Sequence, residues 1–331
     1  MTGNGLTPPV AERIDTRREF HGDVFVDPYE WLRDKSDPKV IAHLEAENDY
    51  TDAVTDHLEP LRQQIFDEIK ARTKETDLSV PTRRGDYWYY ARSFEGKQYG
   101  LHCRCAVRDP DDWTPPVFDE ETEVPGEQVL LDENVEAEGH EFFSLGAASV
   151  SPDGKVLAYS VDVLGDERYT LRFKNLHTGE LYPDVIAGIA AGATWAADSA
   201  TLYYTTVDDA WRPDTVWRHR LASGLTAEKV YHEPDERFWL GVGRTRSDKY
   251  VLIASGSSIT SEMLYADAAD PKAEFRSILA RREGIEYSVE HAVVGRDMRV
   301  GEHVARLHHD AGPAAADRAV FRRGRFCRGA I

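Results

Sequence analysis

The sequence predicts a mainly β fold, a β-propeller entered through an N-terminal two-helix segment, and three observations lead there. The first is a phrase that recurs: Ser-Pro-Asp-Gly-Lys-Val-Leu-Ala-Tyr-Ser at 151–160, Ala-Ala-Asp-Ser-Ala-Thr-Leu-Tyr-Tyr-Thr at 196–205 and Arg-Ser-Asp-Lys-Tyr-Val-Leu-Ile-Ala-Ser at 246–255. In this register Asp153, Asp198 and Asp248 align, as do Leu157, Leu202 and Leu252, and the small hydroxyl residues Ser160, Thr205 and Ser255. Each copy reads as a turn followed by a strand. The second is a further strand signal 45 residues apart, Thr170 to Gly179 and Thr215 to Gly224. The third is a fainter earlier copy, Gly85-Asp86-Tyr87-Trp88-Tyr89-Tyr90 followed by Tyr99 to Val107. A sandwich also spaces strands regularly. Two different strands repeating together at 45–50 residues favour propeller blades.

Taken in order, residues 1–9 form a polar, mobile lead. Residues 10–36 read as extended or irregular. Asp37-Pro38 then opens a helix, Asp as cap and Pro at the first helical position. Val40, Leu44, Val54 and Leu58 keep helical spacing through 38–58. Pro60 breaks that run, and Leu61, Ile65, Phe66 and Ile69 make one apolar stripe on a second helix over about 61–75. The segment 10–77 is thus helical, and its stripe has no obvious local partner. Strand units fill 78–294: unit one about 82–135 with a Pro- and acid-rich insert at 109–127, unit two 140–188, unit three 189–237 and unit four 238–291. From 295 to 331 the chain carries eight Arg against four acids and loses the strand-turn phrase. That tail reads as disordered, either a basic regulatory extension or, because the change is abrupt and falls in mid-unit, the product of a shifted reading frame.

The chain of 331 residues has 41% hydrophobic content, enough for a real core, and a net charge of −19. That balance argues against nucleic acid or an anionic membrane as partner. Cys103, Cys105 and Cys327 form no disulfide framework and no CxxC; Cys103 and Cys105 face the same way on one strand. These features indicate a reduced, cytoplasmic chain, and no apolar run approaches the ~18 residues of a membrane span.

No motif announces chemistry. Gly256-Ser257-Ser258-Ile259-Thr260 is the nearest approach to G-x-S-x-G, but it lacks the closing Gly and a following helix, so it reads as an inter-strand loop. The 12 His show no metal spacing; His308-His309 lie in the tail, and His102 and His219 read as surface or edge residues. Gly241-Val242-Gly243 lacks a third Gly. The acid runs 119–123 and 133–141 fit no calcium loop. Tyr87 to Tyr90, Tyr203 and Tyr204 read as packing between blades. The expected set of catalytic, cofactor-binding and metal-binding residues is therefore empty.

Several motifs in order carry a resemblance. Asp27-Pro28-Tyr29-Glu30-Trp31-Leu32 with Arg33-Asp34 resembles the N-terminal signature of the prolyl oligopeptidase family. Gly85 to Tyr90 through Glu95-Gly96-Lys97-Gln98-Tyr99, and Glu138-Gly139-His140 through Ser149 to Asp153 and on to Gly165-Asp166-Glu167-Arg168-Tyr169-Thr170, resemble its oligopeptidase B (protease II) branch. The likeness runs from Val10 to His291. It implies about four blades of an expected seven, followed in the family by an α/β-hydrolase domain that supplies the Ser, Asp and His of a catalytic triad and the carboxylates that select basic side chains. The family's members are cytoplasmic serine peptidases, in this branch cleaving short peptides after Lys or Arg. The helical segment packs on the hydrolase domain, and the propeller restricts access. The resemblance gives no residue here a catalytic role, and the C-terminal hydrolase domain is expected to be absent. The chain alone is expected to be inactive and to associate through exposed blade edges. A stand-alone binding propeller and a non-functional remnant are the competing expectations.

Overall fold

A computed structural model describes residues 6–118 and 124–291, together with the backbone of three strands further on at 303–308, 318–322 and 325–328. The chain forms two compact units that divide between Glu75 and Thr76.

The first unit begins with a hairpin, β1 (Thr16–Phe20) and β2 (Asp23–Asp27), in a stretch that the sequence reads as extended or irregular without pairing its strands. Its turn is His21-Gly22, with φ of 51° and 83°, the left-handed pair that a two-residue hairpin requires. After a 3-10 turn at Glu30–Arg33 comes α1 (Pro38–Thr55), capped as expected: the Asp37 carboxylate accepts the Lys39 N–H at 2.8 Å. A 3-10 turn at Asp56–Leu58 leads to α2 (Glu59–Lys70). Pro60 sits inside the first turn of α2, where no donor is required of it, and the helix ends at Lys70 rather than near 75. Leu61, Ile65, Phe66 and Ile69 are all exposed, so the stripe lies open.

The second unit is a succession of antiparallel sheets. The first is β3 (Asp77–Leu78) and β4 (Thr82–Arg84) on β5 (Tyr87–Ser93), then β6 (Leu101–Ala106) and β7 (Gln128–Asp132), closed by one helical turn, α3 (Glu133–Glu136). Next come β8 (Ser144–Val150), β9 (Val156–Asp162) and β10 (Tyr169–Asn175). The long β11 (Leu181–Trp195) closes this second blade with its first half and opens the third with its second half. The third blade continues with β12 (Thr201–Val207), β13 (Pro213–Arg220) and β14 (Glu228–His232). The fourth is β15 (Trp239–Arg244), β16 (Tyr250–Gly256), β17 (Ser261–Asp267) and β18 (Arg276–Ser277). Strand β19 (Glu286–Glu290), assigned by sequence to unit four, opens a sheet of its own with β20 (His303–His308), β21 (Arg318–Arg322) and β22 (Arg325–Arg328). Of the tail 295–331, only the backbone of these three strands is described, and the remainder lies outside the described residues.

The repeated phrase is the second strand of each blade with the turn before it, and the structure corrects its third register by one residue. The turn-closing bonds run from Ser151 N–H to Val156 O, Ala196 N–H to Thr201 O and Thr245 N–H to Tyr250 O. Ser247, not Asp248, therefore matches Asp153 and Asp198. Its hydroxyl accepts the N–H two residues on, as their carboxylates do. Asp248 takes the left-handed place of Gly154 and Ser199. The buried equivalent of Leu157 and Leu202 is Val251, while Leu252 is half-exposed.

The core lies between blades. Leu130, Leu131 and Phe143 pack on Leu157 and Tyr159. Ala158 and Phe173 pack on Trp195 and Leu202. Val216 packs on Leu240 and Ile253. Polar stitches accompany it: Trp195 Nε1 donates to Ser149 O at 2.9 Å, Lys174 Nζ to Leu130 O at 3.1 Å and Arg104 Nη1 to Gly154 O at 2.6 Å. Gly146 is fixed by space, since a Cβ there would lie 2.5 Å from the Tyr169 ring and 2.7 Å from Ser160 Oγ.

Candidate functional site

Antiparallel blades place their crossovers and their second-to-third-strand hairpins at the same end. At that end of the third and fourth blades, the crossover 233–238 faces the β16–β17 hairpin across a groove of about 550 Å³. The crossover is held from two sides. From one side, Arg212, itself 7% exposed, bonds Asp208 through Nε at 2.9 Å. Its Nη1 reaches the carbonyls of Glu233, Asp235 and Phe238 at 3.2, 3.3 and 2.9 Å. From the other side, Arg281 forks between the carboxylates of Glu233 and Glu262, the latter at 2.9 Å, and its guanidinium lies 4.0 Å over the Phe238 ring.

Glu233 is 1% exposed. Burial pushes its carboxyl up, but hydrogen bonds from Arg281, Ser255 Oγ at 2.8 Å and the Asp235 N–H at 3.1 Å outweigh burial and hold it below its ordinary value. Asp235 clamps Arg237 through both carboxylate oxygens at 3.0 and 2.8 Å, which lowers its pKa to about 2. With these charges paired, Trp239 and Ile259 border the groove at 56% and 57% exposure.

The residues considered from sequence fall elsewhere or play structural parts. Ser257 is in the β16–β17 hairpin, where its hydroxyl accepts the Thr260 N–H at 3.2 Å, so the near-motif is a turn. His219 is buried, not at an edge. It bonds Asp184 at 2.9 Å and lies against Phe173, tying the second blade to the third. His102 is half-buried and bonds Glu133 at 2.8 Å. A serine–histidine contact not foreseen from sequence joins Ser247 Oγ to His291 Nδ1 at 2.5 Å, but backbone bonding between the same two residues marks it as a staple on the turn. Gly241 and Gly243 lie within β15. The run 133–141 forms α3 and a turn, while 119–123 lies outside the described residues.

Cys103 and Cys105 are free thiols on one buried face with Trp88 and Tyr90, and burial pushes Cys103 up to about 12. Tyr203 meets Phe275 of the next blade edge-on at 5.7 Å. Among the described residues no group of His, Cys, Asp and Glu could hold a metal ion, and no helix is long and apolar enough to cross a membrane. Sequence reasoning missed Glu233, Arg281 and Arg212. They are isolated charges 48 and 21 residues apart, without a motif, and only strand pairing brings them together.

Successive antiparallel blades, with a rigid crossover facing a groove at one end, define a β-propeller module. Residues 8–298 match the family described as prolyl oligopeptidase, N-terminal β-propeller domain, so the chain belongs to the prolyl oligopeptidase family. The match ends close to His291, where the resemblance read from the residues also stops. The chain is 38% identical over 300 residues to dipeptidyl aminopeptidase BI of Pseudoxanthomonas mexicana, covering 88% of this chain and 41% of that protein. It is 33% identical over 286 residues to protease 2 of Moraxella lacunata, covering 86% and 40%. Oligopeptidase B from Leishmania major superposes with a TM-score of 0.81 at 27% identity, over 96% of this chain and 45% of that structure. The chain thus spans about two-fifths of the curated relatives it matches.

Proposed function

We propose that this chain is the propeller portion of a cytoplasmic serine oligopeptidase that cleaves short peptides after Lys or Arg, and that the propeller admits substrates by size. The observation that carries the reading is the family match over 8–298, joined to relatives that are named peptidases. The likeness to oligopeptidase B and the net charge of −19 favour basic substrates. In this reading the nucleophilic Ser, its His base and the orienting Asp belong to a hydrolase domain outside these residues.

The propeller's part is exclusion. Rigid blades stitched by buried polar bonds leave a folded protein no way past them, whereas a short peptide passes. Two measurements test this. The 331-residue chain is assayed on an Arg-aminomethylcoumarin peptide, with no hydrolysis expected. The gene is then read across the codons for 285–300 and several hundred bases beyond. A hydrolase-coding stretch with G-x-S-x-G, whose joined product cleaves the substrate, supports the reading. A gene without one sinks it and leaves a binding module.

A further inference from the structure

We propose that α2 has no stable fold in this chain alone and orders only when the hydrolase portion of a full-length peptidase covers its apolar stripe. Docking of that portion and folding of the helix are then one event. The proposal rests on the reading of the chain as the propeller portion of such a peptidase. The family resemblance implies that the helical segment packs on the hydrolase domain; the coupling follows from α2 itself.

Four features carry it. First, α2 is 12 residues long, a length at which an isolated helix is marginal in water. Second, its ends are bare. Leu58 at the N-cap offers no side-chain acceptor, and Ala71 rather than glycine follows its last turn. The neighbouring α1 is the contrast: Asp37 caps it, Val40 is 3% exposed, and the rings of His43 and Trp31 lie 6.1 Å apart. Third, every residue of α2 is exposed, so tertiary packing, the main source of helix stability in proteins, adds nothing. What remains is local. Arg62 Nε donates to Glu59 at 2.8 Å, Gln63 Nε2 to Asp67 at 2.8 Å and Gln64 Nε2 to Glu68 at 3.0 Å, and such solvated pairs contribute little. Fourth, Leu61, Ile65, Phe66 and Ile69 share one face, the arrangement by which an amphipathic helix seats on an apolar partner. The occupant follows from length. The match to the propeller domain takes up 8–298, and about three-fifths of the relative that is 38% identical lies beyond what this chain covers. Ordering α2 draws on the docking free energy, so the contact is specific and still releasable.

The test is amide hydrogen exchange read by mass spectrometry, on the dilute 331-residue chain and on the joined gene product. In the chain alone, amides 61–70 should exchange within about tenfold of the unstructured rate, while those of β9, β12 and β16 stay protected. In the joined product the same amides should slow by at least about 100-fold. Phe66→Lys with Ile69→Lys should return them to fast exchange in the joined product. Lysine is a good helix former, so that loss reports the missing cover and not a weaker helix. Slow exchange of 61–70 in the dilute chain overturns the proposal, as does fast exchange in the joined product. Protection that grows with the concentration of the chain alone makes a second copy the occupant and overturns it too. If the joined product cleaves after Lys or Arg while α2 stays unprotected, the coupling alone is wrong and the functional reading stands. A gene without a hydrolase stretch removes that reading and the occupant together.

Discussion

Glu233 shows what a buried carboxylate needs in order to stay charged. Burial alone favours the neutral acid, but Arg281, Ser255 and the Asp235 N–H all donate to the ionised form, with Tyr231 Oη a further 3.4 Å contact and Glu262 sharing the guanidinium. The folded pKa lies below the ordinary 4.5, so the unfolded chain binds the proton more tightly. The stabilisation is therefore full above pH 4.5 and is lost as pH falls through the lower folded value. Urea melts of the parent and Glu233→Gln at pH 7, 5, 4 and 3 should show a stability gap that narrows below that point; a gap independent of pH counts against the ionised pair. Replacing Glu233 with Ala leaves Arg281 its Glu262 partner but takes the acceptor from Ser255 Oγ and the Asp235 N–H, and should cost about 1–3 kcal/mol at pH 7. At Gly146 the constraint is steric. Gly146→Ala pushes a methyl into Tyr169 and Ser160 and should cost about 1–3 kcal/mol, measured in the same melts.

At the level of elements, hairpin geometry decides what a pattern in the sequence reveals. The second strand of each blade is legible because its turn, its buried aliphatic residues and its length recur together. The third copy misleads by one residue because Arg-Ser-Asp-Lys-Tyr supplies an Asp and a Leu that mimic the register, while the turn is closed by Thr245 and capped by Ser247. The first hairpin, β1–β2, hides because its only signal is His21-Gly22, and both its strands are largely exposed and lack clean alternation. The groove is less legible still. Its walls come from strand ends, and its ion pairs join residues whose spacing follows blade length rather than a motif. The same geometry gives a prediction in the β13–β14 connection. Ala222 is held at φ 54° while its N–H bonds Asp184 at 3.1 Å. Glycine keeps that bond and removes the Cβ clash, so Ala222→Gly should raise stability by about 0.5–1 kcal/mol despite its greater unfolded-state freedom. Thermal melting that shows a loss would mean that the chain entropy outweighs the relieved strain.

At the scale of the whole molecule, apolar surface and charge pull in opposite directions. A net charge of −19 keeps copies apart at low salt, while α2 leaves Leu61, Ile65, Phe66 and Ile69 between 49% and 61% exposed. Across the first unit Leu44, Phe25 and Val26 are also open. Salt screens the repulsion over about 10 Å at 0.1 M and leaves the apolar attraction in place. The chain should therefore self-associate, and more so as salt rises. Light scattering coupled to size exclusion should give masses above the 37.4 kDa of one copy, growing between about 0.05 and 0.5 M NaCl. The change Phe66→Lys with Ile69→Lys should return the profile toward one copy without lowering the melting temperature, because neither side chain supports a core. If the variant associates as strongly as the parent, the contact lies instead at open strand edges such as β14, the outer strand of the third blade. A sharp monomeric peak at every salt concentration, with cooperative melting, would show that the helical stripe drives no association at all.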